Sequence, residues 1–173
     1  MDGEALQSGA IARSPAPKNA RVEYNAIVAN AHKDPNVALL RQAGLRSTPQ
    51  RLAIAREVFA RHHPTVAEVY ESVRKQFPTI GLATVYNTLR SMTDRGLVRE
   101  LPFADAIRFD ANLGPHANLV CQQCGSIEDC GVCDDLIIEI RDRVARRARF
   151  TPETQRVDVY GLCSSCTRKS RRA

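Results

Sequence analysis

All six cysteines of the 173-residue chain lie in Cys-x-x-Cys pairs, a spacing typical of metal-binding knuckles. The pairs are Cys121/Cys124, Cys130/Cys133 and Cys163/Cys166. Two such pairs supply four thiolates, which is the ligand set of a closed, tetrahedral zinc site that stabilises a small domain. A thioredoxin-like dithiol needs a helix that starts on the cysteines, but Gly125 and a predicted strand follow the first pair. The favoured interpretation is structural zinc held by Cys121, Cys124, Cys163 and Cys166.

The middle pair, Cys130 and Cys133, allows three interpretations. It could replace the C-terminal pair in the zinc site. It could be a redox-active dithiol beside the start of a helix, whose dipole lowers a thiol pKa. It could also consist of two small apolar side chains that fill a turn. The first residues lack the basic start and apolar stretch of a secretory signal, so we expect a cytoplasmic protein whose thiols stay reduced.

Two histidines and two carboxylates near the predicted domain junction form a second candidate site. They are His63, Asp110, His116 and Asp129. Imidazole and carboxylate ligands suit iron(II), manganese(II) or zinc(II). Taken singly, each residue is more typical of a helix cap or a surface ion pair. The spacing alone does not join them.

The elements that must position these residues begin with a helical domain. Apolar residues at helical intervals predict helices near residues 37–43, 49–61, 65–77 and 82–95, after a mobile arm over residues 1–33. The last helix is expected to bury Leu82, Val85, Leu89 and Met92 and to expose Thr84, Asn87, Arg90 and Ser91. The period then changes to two, which predicts strands over 97–103 and 106–110. Helices followed by such a hairpin favour a winged helix-turn-helix domain that spans residues 34–110. The alternative is a small helical domain whose polar face is merely solvated.

The second half of the chain predicts a small α/β domain over residues 117–167, after a linker over 111–116 and before a basic tail over 168–173. Strands are expected over 117–121, 126–129 and 156–162, with a helix over 135–149 that presents Leu136, Ile137, Ile140 and Val144 on one face. The whole chain is therefore assigned to the α+β class. No apolar run is long enough to span a membrane, and a net charge of +6 permits a polyanionic partner.

Several segments together resemble the ferric uptake regulator family. They are GLRSTPQRLAI (44–54), HPTVAEVY (63–70), LATVYNTLRSMTDRGLV (82–98), RFD (108–110), CQQCG (121–125) and VYGLCSSC (159–166). The resemblance extends over residues 37–168. It implies a dimeric bacterial repressor with an N-terminal winged helix, a C-terminal dimerisation domain and a regulatory metal between them.

By the same resemblance, Cys121, Cys124, Cys163 and Cys166 match the structural zinc ligands, and His63, Asp110, His116 and Asp129 match the regulatory ligands. The residue eight positions after the first zinc cysteine is aspartate in the peroxide-sensing branch, and here it is Asp129. The stretch before Tyr160 has no histidine for the extra site of iron-uptake members. The family's second histidine before the first zinc cysteine is replaced by Asn118, whose neutral carbonyl is a weaker ligand than imidazole.

The sequence thus predicts a cytoplasmic, homodimeric repressor with structural Zn(2+) and regulatory Fe(2+) or Mn(2+), which senses peroxide and binds a palindromic operator in double-stranded DNA. It is not expected to be an enzyme. The expected DNA contacts are Thr84, Tyr86, Asn87 and Arg90, with Arg51 on phosphate, although Tyr86 could instead lie in the core. The alternatives are an iron- or zinc-uptake regulator on the same fold and, from another class, a thiol-disulfide redox protein that uses the Cys-x-x-Cys pairs.

Overall fold

The computed structural model describes residues 34–61, 63–103 and 105–171, and the expected arm over residues 1–33 lies outside them. The elements of the first half are α1 (Pro35–Gln42), α2 (Pro49–Ala60), α3 (Val66–Gln76), α4 (Leu82–Asp94), β1 (Arg99–Pro102) and β2 (Ile107–Asp110). Those of the second half are β3 (Ala117–Cys121), β4 (Ile127–Cys130), a 3-10 turn (Gly131–Cys133), α5 (Asp134–Arg147), β5 (Val157–Gly161) and α6 (Ser164–Ser170). No helix among them is long and apolar enough to cross a membrane.

Side-chain caps start three of the first four helices. Asp34, Thr48 and Thr65 each accept a hydrogen bond from a backbone N–H in the first turn of α1, α2 and α3. At Thr65 the bond is reciprocal, because Glu68 also accepts from the Thr65 backbone in a complete capping box. Each such cap contributes about 1 kcal/mol. The sequence predicted these starts to within two residues.

The larger core lies among the first four helices and the wing hairpin. Leu52, Ile54 and Val58 of α2 pack there with Val85 and Leu89 of α4, and all are almost completely buried. The wing pairs β1 with β2 in antiparallel register, Arg99 opposite Asp110. The hairpin is attached to the helices where the Phe109 N–H donates to the Pro64 carbonyl at 2.9 Å. This bond brings the end of β2 beside the start of α3.

The second half forms a three-stranded sheet in the order β4-β3-β5, with β3–β4 antiparallel and β3–β5 parallel. Helix α5 makes the crossover that the parallel pair requires. The core of this part is small: Ala117, Cys130 and Ile137 are buried together, with Cys133 and Val157 packed against them. Most of the apolar surface of α5 is not covered by any of the described residues.

The structure corrects several predictions of burial and extent. Leu82 is 51% exposed rather than buried, and it is the first residue of α4. On α5 only Ile137 is buried, and Leu136 and Ile140 are 60% and 54% exposed. The wing strands are shorter than predicted. Helix α6 was not predicted, since its seven residues have no apolar periodicity.

Candidate metal centres

The structure brings His63, Asp110, His116 and Asp129 into one cluster, with one ligand atom from each within 4.8 Å of the others. His63 Nε2 lies 3.3 Å from Asp129 Oδ1 and 3.6 Å from Asp110 Oδ1. His116 Nε2 lies 3.3 Å from Asp110 Oδ2. His63, Asp110 and His116 are buried and Asp129 is half-buried. The sequence predicted these four residues as a set, but their spacing could not show that they meet.

Each half of the molecule contributes two of these residues. His63 precedes α3 and Asp110 ends β2, which the Phe109–Pro64 backbone bond holds together. His116 precedes β3 and Asp129 lies in β4, the strand paired with β3. His63 has φ +49°, a left-handed conformation that costs a residue with a Cβ about 1–3 kcal/mol and that persists at functional sites. The backbone therefore holds this imidazole in place at a cost.

Hydrogen bonds from the linker orient the cluster. His116 Nδ1 lies 3.0 Å from the Gly114 carbonyl, which can only accept a hydrogen bond, so Nδ1 is the donor and Nε2 is the ring nitrogen that faces the cluster. The Asn112 backbone N–H donates to Asp110 Oδ1, and its side-chain Nδ2 donates to Asp129 Oδ2, both at 2.7 Å. Asn112 thus contacts both carboxylates. Sequence reasoning missed it, because a linker asparagine has no distinguishing pattern.

The cluster fits a divalent cation. Asp110 Oδ2, His116 Nε2 and Asp129 Oδ1 are inaccessible to solvent and make no hydrogen bond within the part of the chain that the structure describes. Buried polar atoms without such bonds are costly, and a bound cation would satisfy all three at once. Two imidazole nitrogens with two carboxylates form a mixed N/O set suited to iron(II), manganese(II) or zinc(II).

Asn118, the predicted weaker ligand, lies beside the cluster on β3. It pairs in register with Asp129 of β4, so the two side chains share a face of the sheet. Its Nδ2 donates to Asp158 Oδ1 at 2.9 Å, and its Oδ1 is buried with no hydrogen bond to any described residue. The amide nitrogen is thus committed to Asp158. Only the carbonyl oxygen remains to approach a metal.

A second cluster unites Cys121, Cys124, Cys163 and Cys166, whose Sγ atoms lie within 4.8 Å of one another. Cys121 ends β3, Cys124 lies in the following turn, and the other two flank the start of α6. The parallel pairing of β3 with β5 brings the two knuckles together, because both strands end at the same edge of the sheet. Four adjacent sulfur atoms match a tetrahedral zinc site.

Hydrogen bonds from the backbone stabilise the thiolate form of Cys121 in this cluster. The Cys163 N–H donates to Cys121 Sγ at 3.3 Å, and this bond, with one from the Cys124 N–H, lowers the pKa of Cys121 to about 6. The pKa of Cys166 is raised to about 12 by its hydrogen bond with Cys163, by burial and by the other neighbouring thiols. Four thiolates at this separation therefore require a cation between them.

Cys130 and Cys133 are joined to each other in a disulfide and are not members of the four-cysteine cluster. The alternative zinc site that combined them with the first knuckle is therefore not the arrangement observed. Cys130 is buried against Ala117 and Ile137, so this pair packs in the small core of the second half.

The side chains expected to contact DNA lie on one helix face. Thr84, Tyr86, Asn87 and Arg90 of α4 are all exposed. Tyr86 is 42% exposed, so its alternative placement in the core is wrong. Arg51, in the first turn of α2, donates from Nη1 to the Arg46 carbonyl at 2.8 Å.

Comparison with known proteins agrees with this architecture. The model of the ferric uptake regulator family matches residues 42–160. A peroxide-responsive repressor, PerR, of Staphylococcus aureus is 40% identical over 136 residues, which cover 78% of this chain and 90% of the relative.

Solved structures give the same result. A peroxide stress regulator of Campylobacter jejuni has a TM-score of 0.63 at 30% identity, covering 75% of this chain and 98% of its own. The ferric uptake regulator of Vibrio cholerae has a TM-score of 0.60 at 29% identity, covering 74% and 99%. That of Pseudomonas aeruginosa, determined with manganese, has a TM-score of 0.60 at 27% identity, covering 76% and 99%. The thiol-disulfide enzyme alternative is thus wrong. The chain belongs to the ferric uptake regulator family, a family of metal-dependent transcriptional repressors, and is a regulator rather than an enzyme.

Proposed function

We propose that this chain is a homodimeric, peroxide-sensing repressor, which binds a palindromic operator when iron(II) or manganese(II) occupies the cluster of His63, Asp110, His116 and Asp129. The observation that carries the proposal is that this cluster, three of whose four residues are buried, takes its ligands from both halves of the molecule. Relatives named as peroxide-responsive repressors support the peroxide response. A repressor of this kind works on DNA in the cytoplasm.

Metal binding at the cluster would couple to DNA binding through the angle between the two halves. His63 and Asp110 move with the helical domain and the wing, whereas His116 and Asp129 move with the three-stranded sheet. A cation shared by all four favours one angle over others. That angle sets the separation of the two α4 helices in a dimer, and hence their fit to two half-sites. Metal and operator must then strengthen each other's binding by the same factor.

Zinc at the four cysteines would have a structural role. The site closes the sheet edge at which β3 and β5 end, next to a core of three buried residues. A core of this size contributes little to folding stability, so the metal would supply much of the stability of the second half. A solved neighbour described as a zinc-bound manganese uptake regulator supports zinc binding in this fold.

Dimerisation through the second half is supported by its uncovered apolar surface. Leu136, Ile140 and Val144 of α5 and Val159 of β5 are between 37% and 60% exposed. Strand β5 lies at the edge of the sheet, with no further strand beside it among the described residues. Exposed apolar patches and open sheet edges are features of association surfaces. A symmetric dimer presents two equivalent recognition helices, which is the reason to expect a palindrome.

For DNA contact we propose Thr84, Tyr86, Asn87 and Arg90 on base edges and Arg51 on phosphate. The first four form the exposed face of α4. Arginine and asparagine offer the bidentate donor and acceptor patterns that distinguish base pairs in the major groove. Arg90→Ala is expected to weaken operator binding by about 10-fold or more, without changing dimerisation.

The peroxide response would act on the histidines. Iron(II) held at this site would supply electrons for the reduction of hydrogen peroxide. The ring centres of His63 and His116 lie 6.4 Å apart and both rings direct Nε2 into the cluster, so both would border a metal held there and would be the side chains oxidised. Addition of one oxygen atom to either ring perturbs a nitrogen ligand and loosens the junction between the two halves.

The test compares the protein loaded with iron(II) or manganese(II), before and after hydrogen peroxide. The probe is a duplex selected by the manganese-loaded protein from a random-sequence pool. We expect the iron form to release it and to gain one oxygen atom on His63 or His116 by mass spectrometry of tryptic peptides, while the manganese form stays bound. Oxidation confined to Cys130 and Cys133 would identify a thiol-based sensor instead. Retention of DNA by both forms would identify a metal-uptake regulator.

A further inference from the structure

A contact between the wing and the three-stranded sheet is centred on Arg156, which immediately precedes β5. Its Nη1 donates to the Pro102 carbonyl at 3.3 Å, and its guanidinium lies 4.5 Å from the centre of the Phe103 ring. Pro102 ends β1 and Phe103 follows it, at the turn end of the wing. Hydrogen bonding and a cation–π contact thus join this end of the wing to the sheet.

Asp158 holds the guanidinium in this position. Its carboxylate contacts Arg156 at two points, Nε–Oδ1 at 3.1 Å and Nη2–Oδ2 at 2.9 Å. A bidentate pair of this kind fixes the plane of the guanidinium as well as its location. The same carboxylate accepts a hydrogen bond from Asn118 Nδ2 at 2.9 Å.

Asn118 continues this chain of contacts to the regulatory cluster. It stands opposite Asp129 of β4 on one side and Asp158 of β5 on the other, so the three side chains form a row across one face of the sheet. Asp129 belongs to the cluster, and Asp158 holds Arg156. The row therefore connects the cluster with the turn end of the wing.

The wing is consequently attached to the sheet at two points. One is Asp110, at the cluster end of β2, and the other is Pro102, which pairs with Ile107 at the opposite end of β2. Asp110 and Ile107 are three steps apart along β2, about 10 Å. Because the wing also packs on the helices, a single attachment would leave the whole first half free to pivot on the sheet, whereas two attachments fix its direction.

Building on the proposed function, we propose that Arg156 is a positioning residue for DNA binding. Together with Asp158 and Asn118, it holds the wing on the sheet in the orientation that the metal-loaded cluster favours. Loss of the contact should leave the cluster able to bind metal. It should reduce the benefit that metal binding brings to DNA binding.

The experiment measures both affinities in the zinc-containing, full-length protein. Manganese(II) binding is measured without DNA, and binding of the selected duplex is measured with and without saturating manganese(II). Arg156→Gln removes the charge and the bidentate pair. Arg156→Lys keeps the charge but cannot contact Asp158 and Pro102 with the same planar group. Arg146→Gln, on an exposed part of α5, is the matched control for charge.

We expect Arg156→Gln to lower duplex affinity about 10-fold at saturating manganese(II), to change manganese(II) affinity without DNA less than about 2-fold, and to reduce the manganese-dependent gain accordingly. The duplex affinity of Arg156→Lys should lie between those of the wild type and Arg156→Gln. The double variant Asp158→Asn/Arg156→Gln should lose no more duplex affinity than the weaker-binding of the two single variants. The slope of affinity against salt should not change, since no phosphate contact is removed.

Three results would overturn the proposal. One is wild-type duplex affinity in Arg156→Gln. Another is an equal loss with and without manganese(II), which indicates general damage. The third is a salt slope reduced by about one with full rescue in Arg156→Lys, which indicates a phosphate contact. If the wild-type protein itself shows no manganese-dependent DNA binding, the proposed function fails before these variants are compared.

Discussion

Asn112 shows how a single exposed residue can organise a buried site. Its backbone N–H contacts Asp110 and its side chain contacts Asp129, so it joins the carboxylate from the wing to the carboxylate from the sheet. Its own Oδ1 accepts from the Gly114 N–H at 3.2 Å, and Gly114 in turn holds the ring of His116. Partners of this kind commonly matter to metal affinity almost as much as the ligands.

At the residue scale, Asn112→Ala is expected to lower manganese(II) affinity by about 10-fold or more. The substitution removes the bond to Asp129 and leaves the backbone bond to Asp110 in place. Titration calorimetry in the absence of DNA measures the change. The matched control is Asn87→Ala on α4, which should leave metal affinity unchanged and weaken DNA binding. Equal metal affinity in Asn112→Ala and the wild type would contradict the assigned role.

At the element scale, the four-cysteine cluster connects β3 to α6, a helix of seven residues that could not persist alone. Cys166→Ser should therefore lose zinc, from about one ion per chain to none, and with it the dimer. Cys130→Ser should keep both, because Cys130 lies in the separate disulfide. Elemental analysis and sedimentation measure the two effects. Release of zinc from Cys130→Ser but not from Cys166→Ser would reverse the ligand assignment.

The start of α1 supports a prediction about pH. Asp34 caps this helix and also contacts Arg56 of α2. Burial alone would raise the pKa of Asp34, but the hydrogen bonds from Arg56 and the Asn36 N–H lower it below 3.8. A carboxylate with a lowered pKa stabilises the fold above its unfolded pKa, and that stability is lost only as the pH falls through the folded pKa.

Asp34→Ala is accordingly expected to reduce the free energy of unfolding by about 1 kcal/mol, and by the same amount at pH 7 and pH 5. Urea denaturation at both values provides the measurement. Asp34→Asn retains a capping oxygen and should lose less. If the destabilisation caused by Asp34→Ala is already lost as the pH falls from 7 to 5, the pKa of Asp34 is raised rather than lowered.

At the scale of the whole molecule, the two halves differ in how well each can form a core. Among the described residues, the hydrophobic core cluster of the first half has fifteen buried members, whereas that of the second half has three. The exposed face of α5 together with the open edge of β5 offers the surface that a second copy would cover. Dimer formation would thus complete the core of the second half.

Ile140→Glu, in the middle of the exposed apolar face of α5, is expected to convert the dimer to a monomer, because dimerisation would bury an unpaired charge. Ala145→Glu lies on the other side of the same helix and provides the control. Sedimentation velocity distinguishes monomer from dimer, and binding of the palindromic duplex should fall together with the dimer. A stable dimer in Ile140→Glu would place the interface elsewhere.

Local features of the chain were predicted from the sequence for physical reasons that act over a few residues. A capping side chain such as Thr65 bonds within its own first turn, and apolar periodicity follows from the geometry of one helix. The close spacing within the Cys121/Cys124 and Cys163/Cys166 pairs likewise predicts two knuckles before any fold is known. Resemblance to a family then predicted which distant residues belong together.

The tertiary structure decided what depends on the path of the chain between elements. The crossover through α5 brings Cys163 beside Cys124, with their sulfur atoms 3.8 Å apart, and leaves Cys130 to pair with Cys133. Strand pairing in the sheet gives Asn118 a partner in Asp158, and docking of the wing gives Arg156 its contact with Phe103. These contacts join residues that are far apart in sequence, so no local pattern encodes them.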